Sequence, residues 1–243
     1  ENLEEKGREK KKAGEEPAGG GKSGKNQDKT RRRKTARREA LRQAENFLSH
    51  GMDFRSGLPY HGYDRESGMK YGIIGWGRAV GWLLLGLSQL DLSEPEAIQK
   101  EEKMLSAVLD RIRKDGMFSW QLDCLEGPLD TSASGMIFYS LLQMVCCGKK
   151  AGMDSGPLHP EKCGVRQEPE DDGETEQMIC ARIKAVCEKA GEALLAMIGP
   201  EGKIGQASAE CVDFAEYRQQ YGNYPWGQGA VLAFLAAWNR QER

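Results

Sequence analysis

Three stretches of this chain would be apolar nearly all round a helix, and that feature most limits what the chain can build. The runs are Leu83 to Leu87, Met136 to Met144 and Ala230 to Trp238. Each follows a loop of small, aromatic and hydroxyl residues: Trp76-Gly77-Arg78-Ala79-Val80-Gly81-Trp82, Asp130-Thr131-Ser132-Ala133-Ser134-Gly135 and Tyr224-Pro225-Trp226-Gly227-Gln228-Gly229. A helix with no polar face has to be buried on every side. Burial of that kind needs a second set of helices to cover the first.

The sequence supplies them. Residues 36–50 place Ala40, Leu41, Ala44, Phe47 and Leu48 at three-and-four spacing, residues 93–114 do the same with Ile98, Met104, Leu105, Val108, Leu109 and Ile112, and residues 174–198 with Met178, Ile179, Ile183, Val186 and Leu194. Each is an amphipathic helix pattern. A capping box, Ser93 with Glu96, is read as the start of the second, and Gly51, Gly116 and Gly199 mark the three ends. After each glycine comes a segment with room for only a small strand or ordered loop, Gly57 to His61, Gly116 to Trp120 and Gly202 to Gln206.

The order polar helix, glycine turn, extended segment, small-residue loop, buried helix thus occurs three times over residues 36–240, the mark of a repeat architecture. Short connections make each helix pair antiparallel. The predicted fold is therefore all-α, an α/α-barrel with buried helices as the inner wall, amphipathic helices outside, and the loops before the inner helices opening on one end. Residues 149–173, rich in Gly, Pro and acidic side chains, read as a surface loop between the second and third hairpins, and His159 within it is given no role.

Composition divides the chain near residue 38. Residues 1–38 hold 14 Lys and Arg against 7 Asp and Glu and almost nothing apolar; with a whole-chain charge of −2 the remainder carries about −9. Such a segment buries too little apolar surface to offset its ordering entropy, so 1–38 is expected to be disordered and 39–243 to form the barrel part. Its cluster of Arg31, Arg32, Arg33, Lys34, Arg37 and Arg38 has no interleaved aromatic residue, so the stacking platform of a single-strand binder is missing. The longest apolar run, Trp82 to Leu87, is far short of the roughly 20 residues a membrane span needs. No signal peptide is visible. Seven cysteines without a C-x-x-C pair argue against a zinc site and a disulfide framework, and favour buried free thiols in a reducing, cytoplasmic setting.

The richest chemistry precedes the first inner helix: Tyr60, His61, Tyr63, Asp64, Trp76, Arg78 and Trp82. Arg78 and Trp82, four apart, are expected on one helix face with Trp76 at its mouth. Aromatic rings stack on sugar C–H faces, and an Arg fork takes a carboxylate. An Arg78–Asp64 ion pair with tryptophans packed as core explains the same residues. From spacing alone the two readings stand level. The glycines at 75, 77 and 81 are not a dinucleotide fingerprint, because no strand with a G-x-G-x-x-G turn precedes them.

Five blocks of this chain resemble the unsaturated rhamnogalacturonyl hydrolases of glycoside hydrolase family 105 and their cousins, the unsaturated glucuronyl hydrolases of family 88. They are Asp53 with Gly57-Leu58-Pro59-Tyr60-His61-Gly62-Tyr63-Asp64, the Trp76 to Trp82 block, Asp115-Gly116 with Phe118, Trp120 and Asp123, the Asp130 to Met136 block, and Trp226-Gly227-Gln228-Gly229-Ala230, in the family's order over roughly 200 residues. The resemblance implies an (α/α)6 barrel, of which about three of six hairpins are present here. It also implies removal of 4,5-unsaturated uronyl residues from pectin-derived oligosaccharides, by hydration of the C4–C5 double bond with an Asp as general acid and base. His61, Trp76, Arg78 and Trp82 would line the pocket, with Arg78 steering the uronyl carboxylate and with Tyr60, Thr131 and Ser132 beside them. No cofactor and no metal are called for.

In the family the acid/base Asp lies upstream of the helix matching residues 36–50, and this chain has no counterpart to it. Asp64, Asp123 and Asp130 match structural or peripheral positions, so takeover of catalysis by one of them is not expected. The resemblance thus covers the C-terminal half of a family member, inactive on its own, whose open flanks would be covered by an N-terminal half or by self-association. The alternative is a non-catalytic α/α-toroid that binds sugar or serves as an interaction surface. Nucleic-acid binding ranks last.

Overall fold

The computed structural model describes residues 21–146 and 176–240, so residues 1–20 and the predicted loop with His159 lie outside the described part. The chain divides into two units between Glu39 and Ala40, and helix α1, Gly21–His50, runs through the division. Disorder is thus not what residues 21–38 show. They are helical, and residues 26–38 are exposed throughout. Lys, Arg and Gln are good helix formers and no proline interrupts them. An Asp28–Arg32 ion pair at 3.0 Å adds the local support of an i,i+4 pair.

Past α1 the chain makes β1, Tyr60–Tyr63, and β2, Lys70–Ile74, paired antiparallel. Then come α2, Gly77–Leu87, α3, Pro95–Leu109, α4, Thr131–Cys146, α5, Glu176–Ala196, the short antiparallel pair β3, Ala207–Ser208, and β4, Tyr221–Gly222, and finally α6, Pro225–Trp238. The three expected buried helices are α2, α4 and α6. The expected capping box is absent: α3 starts one residue later, with Glu94 at the N-cap and Pro95 in the first turn, and no side chain caps it. The fixed φ of proline already suits the first helical position.

Helix α4 lies between α2 and α6, and α5 covers α4 and α6 while also meeting α3. The rings of Phe118, Phe138 and Phe234 run through the core from the second extended segment to α4 and α6, with centroids 5.0 and 5.7 Å apart. The inner helices approach closely at glycines. A Cβ on Gly81 would stand 2.7 Å from the Met136 Cβ, and one on Gly135 2.7 Å from the Val231 nitrogen. Real Cβ atoms do not come that near, so the helix spacing itself requires glycine there.

Burial on every side holds for α4, in which all described residues are buried or half-buried. It fails for α2 and α6. Trp82 is 62% exposed and Leu232 67%, with Gly86 on α2 and Gly229 and Ala236 on α6 exposed beside them. Those flanks have no neighbouring helix among the described residues. The thiols also differ from expectation, since only Cys187 of the described free cysteines is buried and Cys124 is exposed. Among the described residues no helix is long and apolar enough to cross a membrane.

Candidate functional site

Asp130 stands at the N-cap of α4 and is fully buried. Its Oδ1 accepts the backbone N–H groups of Ser132 at 2.9 Å and Ala133 at 3.3 Å, two of the donors that a helix start leaves unpaired. The same carboxylate accepts the Ser132 hydroxyl at 2.5 Å, the Ser208 hydroxyl at 2.6 Å and the Ser208 N–H at 3.2 Å. Opposite it lies Arg78, with Nη1 3.8 Å from Oδ2. Arg78 Nη1 donates to the Ser208 carbonyl and hydroxyl, and Nη2 to the Ala209 carbonyl at 2.7 Å. Its guanidinium faces the rings of Trp76 at 4.8 Å and Trp226 at 5.7 Å. One charge pair therefore joins the first turn of α2, the start of α4 and the β3 segment before α6, and fixes all three at one end of the helices. Burial pulls the Arg78 pKa down, and Asp130 opposes it.

In front of Arg78 lies an aromatic cluster. The His61 ring sits 4.5 Å from Trp76 and 4.8 Å from Phe214, with Tyr217 packed edgewise against Trp76 at 5.6 Å. Phe214 and Tyr217 come from a strap, residues 209–220, that leaves β3 and returns as β4. The strap docks because its seat carries glycines. A Cβ on Gly62 would meet the Phe214 ring at 2.9 Å, and one on Gly72, whose φ of +76° already favours glycine, would meet the His61 Cβ at 2.6 Å and the Tyr217 hydroxyl. Tyr217 Oη accepts the Ile73 N–H at 3.2 Å and lies 2.9 Å from His61 Nδ1. Its O–H is free to donate to Nδ1, the arrangement that puts the imidazole hydrogen on Nε2. Nε2 has no partner among the described residues.

Burial, followed by the nearby Arg78 charge, holds His61 below the usual histidine range. A histidine of depressed pKa adds stability that is in full effect above the unfolded value of about 6.5 and is lost as pH falls through the folded one. Melting temperature is accordingly expected to fall between pH 7.5 and pH 5.5, and to fall less in His61→Asn. Equal slopes for the two proteins would show that His61 is not held neutral.

Of the predicted site residues, the structure brings together His61, Trp76, Arg78 and Ser132. Tyr60 alternates to the other face of β1, with its hydroxyl 3.5 Å from Asp53 and its ring under Lys70. Thr131 is fully buried, and its hydroxyl donates to the Gly205 carbonyl at 2.7 Å. Trp82 does not share the Arg78 environment: Arg78 is buried at the mouth, while Trp82, offset by about 40° after four residues, stands on the open flank of α2. The Arg78–Asp64 ion pair is corrected to Arg78–Asp130. Asp64 closes its own turn by accepting the Glu66 N–H and the Ser67 hydroxyl. Sequence reasoning missed Phe214, Tyr217 and Ser208. The available signal was aromatic density, with Phe214, Tyr217, Tyr221, Tyr224 and Trp226 inside thirteen residues.

Residues 26–151 match the model of Glycosyl Hydrolase Family 88, more than half of the chain. A possible member of the GH105 family from Klebsiella pneumoniae superposes with a TM-score of 0.64 at 21% identity, over 85% of this chain and 50% of that one. The unsaturated glucuronyl hydrolase of Bacillus sp. GL1, described as responsible for glycosaminoglycan degradation, gives 0.52 at 19% identity, over 82% and 50%. A 24.9 kDa protein of the picA locus of Rhizobium radiobacter is 29% identical over 133 residues, which span 48% of this chain and 57% of that protein. This chain therefore spans about half the length of the solved structures and little more than half of that relative. The shared fold is the all-α (α/α)6 toroid, and three hairpins are half of its six.

Proposed function

Because the chain belongs to glycosyl hydrolase family 88, we propose that it forms the substrate-holding rim of a hydrolase that removes 4,5-unsaturated uronyl residues from pectin-derived, rhamnogalacturonan-type oligosaccharides. The observation that carries this is the aromatic cluster around His61. Exposed Phe214 and half-buried Tyr217 offer ring surface to sugar C–H bonds, buried Trp76 backs His61, and His61 keeps an unspent nitrogen among them. A neutral His61 with its hydrogen on Nε2 donates to a uronyl or hydroxyl oxygen. Arg78 acts from behind. It is 6% exposed and its Nη1 and Nη2 donate to Ser208 and Ala209, so its part is to lock these segments and hold His61 neutral rather than to fork the uronyl carboxylate.

Carboxylates near the mouth are committed elsewhere, which supports the reading that this chain lacks the general acid and base. Asp130 caps α4, Asp64 closes a turn, and Asp123 pairs with Arg111 at 2.5 Å. Hydration of the C4–C5 double bond needs a group that delivers a proton to one carbon while water attacks the other. The two carboxylates of the strap that lie near Arg78 and Tyr217 are engaged as well, Glu210 with Arg218 and Asp213 with the Ala215 and Glu216 N–H groups. The same observation keeps the non-catalytic, sugar-binding toroid as the second reading. Free thiols at Cys124, Cys180, Cys187 and Cys211 support a reducing, cytoplasmic setting.

An unsaturated uronyl disaccharide tests both readings. Calorimetry is expected to show binding that His61→Ala or Phe214→Ala weakens about tenfold, the loss of one good hydrogen bond or stacking surface. Absorbance of the conjugated double bond is expected to stay constant with this chain alone and to fall when a family N-terminal half is added. Turnover by this chain alone would sink the missing-acid reading. Absence of binding would sink the uronyl reading, and binding with no turnover after complementation would favour the sugar-binding toroid.

A further inference from the structure

A hollow lies between the end of α1, the turn that follows it, and α3. Its volume is about 160 Å³, and its walls include Leu48, Met52, Phe54, Gly57, Lys100 and Lys103, all within the Ala40–Arg243 unit. Leu48 is fully buried, whereas Phe54 leaves 75% of its surface open. The turn is a built wall. Its Asp53 N–H donates to the Leu58 carbonyl at 2.9 Å and its Gly57 N–H to the Asp53 carbonyl at 3.0 Å. Gly57, with a φ of +72°, brings the turn against α3, since a Cβ there would stand 3.1 Å from the Ala107 Cβ. The Lys103 stem passes beside Gly57, and its Nζ donates to the Phe54 carbonyl at 3.2 Å. The ammonium is thereby held next to an apolar lining.

We propose that this hollow binds a single-ring aromatic carboxylate, with the ring against Leu48, Met52 and Phe54 and the carboxylate at the Lys103 ammonium. Size selects the body of the ligand, because an apolar cavity of about 150 Å³ holds one benzene ring. Charge selects its end. Asp53, which also lines the hollow, spends its carboxylate on the Ser56 N–H and hydroxyl, both at 2.8 Å, with Lys70 beside it. Glu96 pairs with Lys100 at 2.6 Å. Lys103 has only a carbonyl as acceptor among the described residues, so its ammonium keeps both its charge and donors to spare. Arg55, 5.5 Å over the Phe54 ring, adds a further positive charge. The excess around an apolar hollow is thus positive, which suits an anion with an apolar body. The proposal is independent of the sugar reading, because none of these residues belongs to the His61 cluster or to the open flanks of α2 and α6.

Calorimetric titration of the 243-residue chain with benzoate is the test. Saturable binding at one site is expected, with a dissociation constant on the order of 1 mM for a ligand of this size. Benzyl alcohol, a ring without the charge, and acetate, the charge without a ring, are each expected to bind at least about fivefold more weakly. Lys103→Met keeps the apolar stem and removes the charge, and should weaken benzoate about fivefold. Ser49→Trp fills the hollow from an exposed lining position and should abolish binding. Both substitutions change exposed residues, so both are expected to keep the circular dichroism of the parent. Saturation with the unsaturated uronyl disaccharide should leave benzoate binding unchanged. Absence of saturable benzoate binding overturns the proposal, as does an affinity that either variant leaves unaltered. Acetate or benzyl alcohol binding as tightly as benzoate overturns it too, and displacement by the disaccharide would move the site to the His61 cluster and overturn it as well.

Discussion

Asp130→Ala is expected to lower stability by about 3–5 kcal/mol, because it leaves a buried guanidinium without its counter-charge. Arg78 is 6% exposed and cannot turn to water, and its carbonyl acceptors carry no charge to replace the one removed. The substitution also strips the N-cap of α4, a loss of about 0.5–2 kcal/mol in its own right. Three hydroxyl and amide donors of Ser132 and Ser208 lose an acceptor at the same time. For a folded unit of some two hundred residues, at roughly 2–4 °C per kcal/mol, the melting temperature falls by about 6–20 °C. Denaturant unfolding at constant slope measures the free energy directly. A control is Glu201→Ala, which breaks an ion pair with Lys203 whose partners are 68% and 73% exposed, and which should cost under about 1 kcal/mol. A comparably small loss in Asp130→Ala would mean that Arg78 does not rely on it and that the three loops are held some other way.

That charge pair also marks the limit of what the sequence makes legible. Apolar runs place the C-terminal ends of α2, α4 and α6 within two residues, because a helix buried on most sides has few other ways to be written, but each helix starts five or six residues earlier, inside the small-residue segment read as a loop. Asp130 is visible as a helix-start residue, whereas its partner Arg78 lies 52 residues earlier and the choice between Asp64 and Asp130 depends on tertiary approach. His61 and Trp76 announce themselves by type and position. Tyr217, 156 residues from His61, does not, since the strap that carries it has no periodicity and pairs through only two short strands. Trp82 is misread for a related reason. Four-residue spacing puts it near the Arg78 face, but whether that face is a pocket wall or an open flank depends on which helix lies beside it. The helix over residues 21–38 is the converse case, where local propensity outweighs a composition that argues for disorder.

Gly135→Ala and Gly86→Ala should move stability in opposite directions, although both put one methyl on an inner helix. On propensity alone each would gain about 0.5–1 kcal/mol, since glycine loses the most backbone freedom on folding. Gly86 realises that gain, because nothing among the described residues lies within 4 Å of its added Cβ. At Gly135 the methyl would sit 2.7 Å from the Val231 nitrogen and 2.8 Å from the Ala230 carbonyl carbon. Backbone cannot rotate aside as a side chain can, so α4 and α6 must part, and overpacking of this kind costs about 1–3 kcal/mol. Parting them also disturbs the Phe138–Phe234 contact and shifts Trp226, whose Nε1 holds the Ser208 carbonyl at the Arg78 node. Gly135→Ala should therefore lower the melting temperature and weaken sugar binding together, whereas Gly86→Ala raises the first. If both substitutions raised the melting temperature, the close approach at Gly135 would not be what sets the spacing of α4 and α6.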